Sequence, residues 1–322
     1  MLVLTGAEIE ALLDLDALID ALAAAMADLS AGRASVPQRI AALAPDGLLG
    51  AMPGYVPSSG VLMSKLVTLF PGNVGLPTHQ AVIVAFDPAT GAPAALLDGT
   101  SVTALRTGAG SALSARLLAR PEAETLAILG TGVQARSHAR AVSRVRPIRR
   151  IRIASRDPAR AAALSAELSA TLPVEPAESY QDALADADIV CATTHATEPV
   201  VRREWLRSGV HVTSVGYNPE GRELDDATVA EGLVCVESRS AVLAPFPAGS
   251  NDLLEPIRDG IIGVDHIHAE LGELVLGMRP GRTAPEQITV YKSVGVAVQD
   301  AAATALVLGA ARARGVGREI AL

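Results

Sequence analysis

The sequence predicts an α/β protein of two domains, a doubly wound parallel sheet preceded by an α+β domain. Three observations lead there. The chain has 322 residues, the length of about two domains. From Glu124 onward, short apolar runs alternate with helical ones, which is the pattern of a parallel sheet with crossover helices. Before that, from Val36 to about Leu97, short apolar runs are separated by Pro/Gly turns. That texture belongs to a mixed or antiparallel sheet.

In order along the chain, Thr5 and Glu8 form a capping box. It heads a front helix in which Leu15, Leu18, Ile19, Leu22, Met26 and Leu29 recur at helical spacing until Gly32 stops it. "GLLGAMPGYV", "GVLMSKLVTLF" and "HQAVIVAFDP" read as strands, and "FDPATGAPAALLDG" as a hairpin through "DPATG". "SVTALRTGAGSALSARLLAR" is a helix of small residues with Arg106 inside it. Then "TLAILG" is a strand, "VQARSHARAVSRV" a helix, "IRRIRIAS" a strand and "PARAAALSAELSAT" a helix. "DIVCATT", "HVTSVG" and "LVCVES" are further strands. The expected domains are residues 1–120 and 121–290. A last helical stretch, 291–322, follows the sheet, and the residue pattern leaves open which domain it packs on.

Composition narrows the function. Hydrophobic residues make up 49% and charged residues 19%, a globular balance. The net charge of −8 argues against non-specific binding to nucleic acid or to an acidic membrane surface. Cys191 and Cys235 stand alone in apolar runs without metal-ligand spacing, so no metal is expected and both read as core residues of a reducing compartment. The start lacks a basic leader, and the C-terminal apolar stretch is broken by Gln299 and Asp300. A cytoplasmic protein with no membrane span is expected.

"LAILGTGVQARSHA" contains Gly130-x-Gly132-x-x-Ala135 between a strand and a helix. Gly130 permits the tight turn, Gly132 lets backbone approach a pyrophosphate, and Ala135 is small where helix meets strand. The helix N-terminus then offers free N–H groups to the phosphates. This is the Rossmann-type dinucleotide turn. The second strand ends not in the acid that would bind an NAD ribose but in Ser155 and Arg156. A hydroxyl and a guanidinium suit the 2′-phosphate of NADP, with Arg160 one turn on. NADPH is therefore expected as cofactor, with NADH as the alternative. Asp157 comes too late for a ribose contact and caps the next helix, with Pro158 at its first position.

The first domain sets cations among apolar residues: Arg39 in "SVPQRIAAL", Lys65 in "VLMSKLVTLF" and Arg106 in "VTALRTGAG". A buried charge needs a partner. Three such cations suit a substrate carboxylate, which guanidinium groups grip bidentately. A lysine near two arginines loses proton affinity and can shuttle a proton. "GLPTHQA" adds Thr78 and His79. Each cation could equally be a structural ion-pair partner, and His79 a structural residue.

Taken together, "VPQR", "AMPGY", "KLVTLFPGN", "GLPTHQA", "LLDGTSVTALRTGAGSA", "ILGTGVQARSH", "ATEPVV", "GYNPEGRELDD" and "YKSVGVAVQDAAA" resemble the ornithine cyclodeaminase/mu-crystallin family over nearly the whole chain. The resemblance is greatest to its mu-crystallin-like and bacterial ketimine reductases. It implies a homodimer whose first domain binds substrate and mediates dimerisation, with the chain's end returning to that domain. It implies Arg39, Lys65 and Arg106 around a substrate carboxylate, with Thr78 and His79 lining the site and Lys65 or His79 handling a proton. For the nucleotide it implies contacts at Gly130, Gly132, Val133, Gln134, Ser155 and Arg156. Thr193, Thr194 and the segment to Thr197 would edge the cofactor, and Ser293 and Val294 would come close to the nicotinamide.

Cyclodeaminases of the family carry an Asp soon after the strand that here ends "HVTSVG". This chain has Tyr217 and Asn218 there, and the nearby Glu223 falls in a block that both subgroups share. The resemblance thus points to an oxidoreductase that reduces a C=N bond beside a carboxylate in a small imino acid, such as pyrroline-2-carboxylate or piperideine-2-carboxylate. Proton donation from Lys65, or from a water held by His79, remains open. Alternatives are an ornithine cyclodeaminase, an alanine-type dehydrogenase or acyclic imine reductase, and a non-catalytic NADPH-binding protein of the crystallin kind.

Overall fold

The structure, a computed structural model, describes residues 1–321. The chain opens on strand β1 (Leu2–Leu4). The capping box at Thr5 and Glu8 then heads α1 (Gly6–Leu12), a helix of its own. The predicted single front helix is two. Leu13 is extended, and Asp14 caps a second start by accepting from the Ala17 N–H, giving α2 (Leu15–Ser30). Gly32, with φ +69°, closes it. Five strands follow: β2 (Ile40–Ala44), β3 (Gly47–Val56), β4 (Val61–Leu69), β5 (His79–Phe86) and β6 (Pro93–Asp98). The β5–β6 turn is stapled by Asp87, whose Oδ1 accepts from the N–H groups of Ala89 and Thr90. The helix α3 (Gly99–Leu118) comes next.

The chain divides into two compact units, Met1–Arg106 with Gly295–Leu322, and Thr107–Val294. The division falls inside α3, not after residue 120. The helix is continuous in small residues, so no change of composition marks the place.

In the second unit, β7 (Thr125–Leu129), α4 (Val133–Val145), β8 (Arg150–Ala154), α5 (Pro158–Leu168) and β9 (Val174–Pro176) alternate. Then come α6 (Tyr180–Leu184), β10 (Ile189–Ala192), β11 (His211–Ser214), α7 (Asp226–Glu231) and β12 (Leu233–Val236). The unit ends with α8 (Arg239–Val242), α9 (Asn251–Arg258), β13 (Ile267–Glu270), α10 (Leu271–Val275) and β14 (Thr289–Lys292). Its sheet runs β13-β12-β14-β11-β10-β7-β8-β9, and every neighbouring pair is parallel. Strand order reverses direction at β7, where β8 and β10 flank it, and ligands bind at such a switch point, outside the carboxyl ends of the strands. Leu126 and Ile128 of β7 feed one apolar core and Ala127 and Leu129 the other, as a sheet buried on both faces requires.

The first unit is completed by α11 (Ala297–Arg314) and β15 (Arg318–Glu319). Its mixed sheet runs β15-β1-β6-β5-β4-β3-β2. α11 packs on α2, β3 and β4. A β-carbon at Gly54 would stand 3.2 Å from Ala297 Cβ, so a glycine in β3 lets the helix sit close. One face of this sheet is therefore covered, and that face carries Met52, Lys65 and Ile83 side by side in register.

Candidate active site

In the first unit, β4 places Lys65 on the covered face with 1% exposure. Its ammonium cannot stay unpaired there. The first turn of α11 supplies the partner: Lys65 Nζ lies 2.9 Å from Asp300 Oδ1 and 2.8 Å from Oδ2. Arg106, 5% exposed on α3, donates from Nε to Asp300 Oδ1 at 3.2 Å and from Nη1 to Gln299 Oε1 at 2.8 Å. Arg39, half-buried ahead of β2, donates from Nη2 to Gly295 O at 3.1 Å. Thr78 is exposed and half-buried His79 begins β5.

The electrostatics follow from burial and charge. Burial pushes the Lys65 ammonium down; Asp300 opposes that, Arg106 and Arg39 add to it, and the result is about 7. For His79, burial and then the charges of Lys65 and Arg106 lower the ring to about 4, so it is neutral at pH 7. Burial alone would raise Asp300, but Lys65 and Arg106 outweigh it and hold the carboxyl below its ordinary range. One internal carboxylate thus faces Lys65, Arg106 and Arg39. The cluster has positive charge to spare in a desolvated place, which suits a small carboxylate ligand. The first unit brings Arg39, Lys65, Arg106 and His79 into one electrostatic neighbourhood. Asp300 and Gln299 were missed as partners of that cluster. The signal was a single acid in the run of small residues "VQDAAATA".

In the second unit, the two glycines after β7 serve different ends. Gly130 has φ +112°, and a β-carbon there would lie 2.8 Å from Thr193 O, so the residue must be glycine for internal packing. Thr193 is fixed by its own N–H and Oγ1, both donating to Leu129 O. Gly132 caps α4 without a side chain, and a β-carbon there would meet nothing within 4 Å. Its backbone is open to a ligand. Val133, 58% exposed, and Gln134 open the helix, while Ala135 is buried under it. The first-turn N–H groups and this open glycine fit a pyrophosphate.

Ser155 and Arg156 follow β8. Ser155 Oγ accepts from the Asp157 N–H at 3.3 Å, and Asp157 caps α5 through Ala159 N–H at 3.0 Å. Arg160 Nε lies 3.5 Å from Asp157 Oδ2 at the surface. Arg156 is exposed, and its charge opposes the upward push of burial on the Tyr180 hydroxyl.

The rest of the rim is held by buried acids. Glu223 Oε1 accepts from Thr194 N–H at 2.6 Å and Oγ1 at 2.8 Å; Oε2 accepts from Ser214 Oγ at 2.7 Å and Gly216 N–H at 2.8 Å. Glu223 is thus the fastening of two loops at the carboxyl ends of β10 and β11. Asn218, where a cyclodeaminase would offer an acid, instead donates from Nδ2 to Ala196 O at 3.0 Å. Glu237 Oε1 accepts from Ser293 Oγ at 3.1 Å and Val294 N–H at 2.8 Å. Neither fastening acid was singled out from the sequence as a partner of these segments.

The sequence profile of the ornithine cyclodeaminase/mu-crystallin family matches residues 1–315. The chain belongs to that family. Within it, this chain is 37% identical to the ketimine reductase mu-crystallin of Mus musculus over 298 residues, 90% of each chain. It is also similar to the Thermococcus litoralis Δ1-pyrroline-2-carboxylate reductase solved with NADH and L-proline, at 38% identity and a TM-score of 0.95, covering 99% of this chain and all of that one. An archaeal alanine dehydrogenase dimer with bound NAD matches at 30% identity and a TM-score of 0.93, covering 100% of this chain and 99% of that one. Membership covers both units, and the cyclodeaminase/mu-crystallin family is thereby a property of the chain as a whole.

Proposed function

We propose that this protein reduces the C=N bond of a small cyclic imino acid, of the pyrroline-2-carboxylate or piperideine-2-carboxylate type, using a reduced nicotinamide dinucleotide. The observation that carries this reading is the buried cluster of Lys65, Arg106 and Asp300 with Arg39 beside it. The kinship with a Δ1-pyrroline-2-carboxylate reductase and a ketimine reductase supports it. In this reading Arg39 and Arg106 hold the substrate carboxylate. Lys65, poised at about 7, gives its proton to the imine nitrogen. His79 is neutral at pH 7 and lines the site, able to hold a water rather than to bring a charge. Bound dinucleotide supplies the hydride. Gly132, Val133 and Gln134 would hold its pyrophosphate, and Thr193, Thr194, Ser293 and Val294 would border it. Ser155 and Arg156 would take the 2′-phosphate, which favours NADPH over NADH.

The same proposal includes a homodimer formed through the first unit. The uncovered face of its sheet is largely apolar, with Ser64, Thr68 and Gln80 among its residues. Leu66 stands opposite Ala51 and Val82, and Leu62 opposite Tyr55 and Phe86, all at least partly exposed. An apolar sheet face of this kind marks an association surface, and the alanine dehydrogenase relative is a dimer. A cytoplasmic location is also part of the reading, in keeping with two buried, unpaired cysteines. Among the described residues no helix is long and apolar enough to cross a membrane.

The test is to follow NADPH and NADH absorbance with Δ1-pyrroline-2-carboxylate, Δ1-piperideine-2-carboxylate, and pyruvate with ammonia. Oxidation of the coenzyme by the cyclic imines supports the proposal. Turnover confined to pyruvate plus ammonia would favour the second reading, an alanine-type dehydrogenase, for which the archaeal relative is the observation. No oxidation with any of them would sink both.

A further inference from the structure

Of the 27 lysine and arginine residues in this sequence, two are lysines, Lys65 and Lys292. Both are fully buried, at 1% and 0% exposure. Each has a carboxylate at 2.8 Å, Asp300 for Lys65 and Asp252 for Lys292. Elsewhere the chain uses arginine for positive charge. Arginine remains charged at every working pH, whereas a buried lysine can exist in two protonation states. At position 65 the ammonium is met from every side by charge or dipole. Asp300 approaches from α11, Arg106 and the Thr103 hydroxyl (3.5 Å) from α3, Arg39 from the segment before β2, and His79 from β5. Four of these groups are basic or neutral. Asp300 alone among them carries negative charge.

We propose that Asp300 is a positioning residue for the reaction, the fixed counter-charge that allows Lys65 to pick up and deliver the proton that accompanies hydride transfer. The inference rests on the imine-reductase reading. The balance is simple: the imine carbon gains a hydride, the imine nitrogen gains a proton from Lys65, and neutral Lys65 recovers a proton from water. Without Asp300, burial and two arginines leave nothing to favour the charged amine, and Lys65 stays neutral at working pH. Asp300 also fixes where Nζ sits, because its two oxygens both lie within 3 Å of that nitrogen. The neighbouring Gln299 has a parallel duty toward Arg106, accepting from Nη1 at 2.8 Å. One turn of one helix therefore aligns both the proton carrier and an anion-gripping arginine.

The two-lysine sequence makes the test direct. Protein labelled with [ε-13C]lysine gives two Cε resonances, and a Lys65→Arg variant assigns them by removing one. Wild-type Lys65 is expected to titrate near neutrality. In Asp300→Asn its midpoint is expected to fall by about one pH unit or more, a tenfold or greater loss of proton affinity. In Arg106→Gln, which removes a like charge, it is expected to move upward. The pH optimum for imine reduction by Asp300→Asn is expected to move down with the Lys65 midpoint, a change that mere loss of stability would not produce. A wild-type midpoint below 5 or above 10, or an unchanged midpoint in Asp300→Asn, would overturn the proposal. If Asp300→Asn does not fold, Asp300→Glu, which keeps the charge but moves it, takes its place: a shifted Lys65 midpoint supports the proposal and an unmoved one overturns it. If no imine is reduced while the midpoints move as described, the functional reading fails and the control of Lys65 by Asp300 stands.

Discussion

The guanidinium of Arg106 lies against Gly295 so closely that a β-carbon at that glycine would stand 2.8 Å from both terminal nitrogens. Gly295 also has φ +77°, where an L side chain is strained by roughly 1–2 kcal/mol. Gly295→Ala is expected to displace Arg106 and raise the KM for the imino acid about 10- to 100-fold, the worth of a charge-assisted contact of roughly 1.5–3 kcal/mol. Arg106→Ala should have the same effect or a larger one. Coenzyme binding, measured by fluorescence quenching, should be unchanged in both. A variant with unaltered KM would show that Arg106 does not grip the substrate.

Arg156 distinguishes the two coenzymes. Arg156→Ala is expected to weaken NADPH binding about 10- to 100-fold, again from the loss of a charge-assisted contact. NADH binding should stay within about twofold. Calorimetric titration of both coenzymes checks this, and equal losses would remove the 2′-phosphate contact.

Stability should depend on pH through two histidines that perform no chemistry. His138 Nε2 meets Ser111 Oγ at 2.8 Å, and His211 meets Ser114 Oγ at 3.1 Å and Thr289 Oγ1 at 2.9 Å. Burial lowers His138 to about 4 and, with Arg282 and Arg146 adding to it, His211 to about 3. An unfolded chain binds these protons near pH 6.5, while the folded one refuses them until lower pH. Their contribution is therefore complete above pH 6.5 and is lost as pH falls toward 4 and 3. Within that window the cost is about 1.4 kcal/mol per pH unit for each ring. Urea unfolding at pH 7.5, 6 and 5 should show the decline, with a shallower slope in His138→Gln. Stability that stays level across this range would contradict the buried, neutral assignment.

The dimer proposal can be tested on the open sheet face. Leu66→Glu puts a charge among Ala51, Val82 and their neighbours, opposite the face that holds Lys65. Sedimentation velocity should give a dimer for the wild type and a monomer for the variant. A wild-type monomer at micromolar concentration would rule the interface out.

Much of this arrangement could be read from residue order. The glycine turn at Gly130 and Gly132 carried its own context, because a strand, a tight turn and a helix follow each other within one short stretch. Asp157 was legible as a cap for the same local reason. The front helix was misjudged as one because hydrophobic spacing continues in phase through Leu13, and only the Asp14 side chain restarts it. Asp300 was hidden for a different reason. Its partners Lys65 and Arg106 lie 235 and 194 residues away in the chain, and no local pattern announces a pairing over that distance. Glu223 was noted only as part of a block common to both subgroups; its hold on Thr194 and Gly216 depends on β10 and β11 lying side by side in the middle of the parallel sheet.

With both lysines interred, the exterior presents guanidinium groups and no side-chain amine. Acyl donors, ubiquitin-transfer enzymes and amine-directed cross-linkers would meet no lysine amine on the surface of these residues. Modification that requires an exposed lysine would therefore find none on the folded protein.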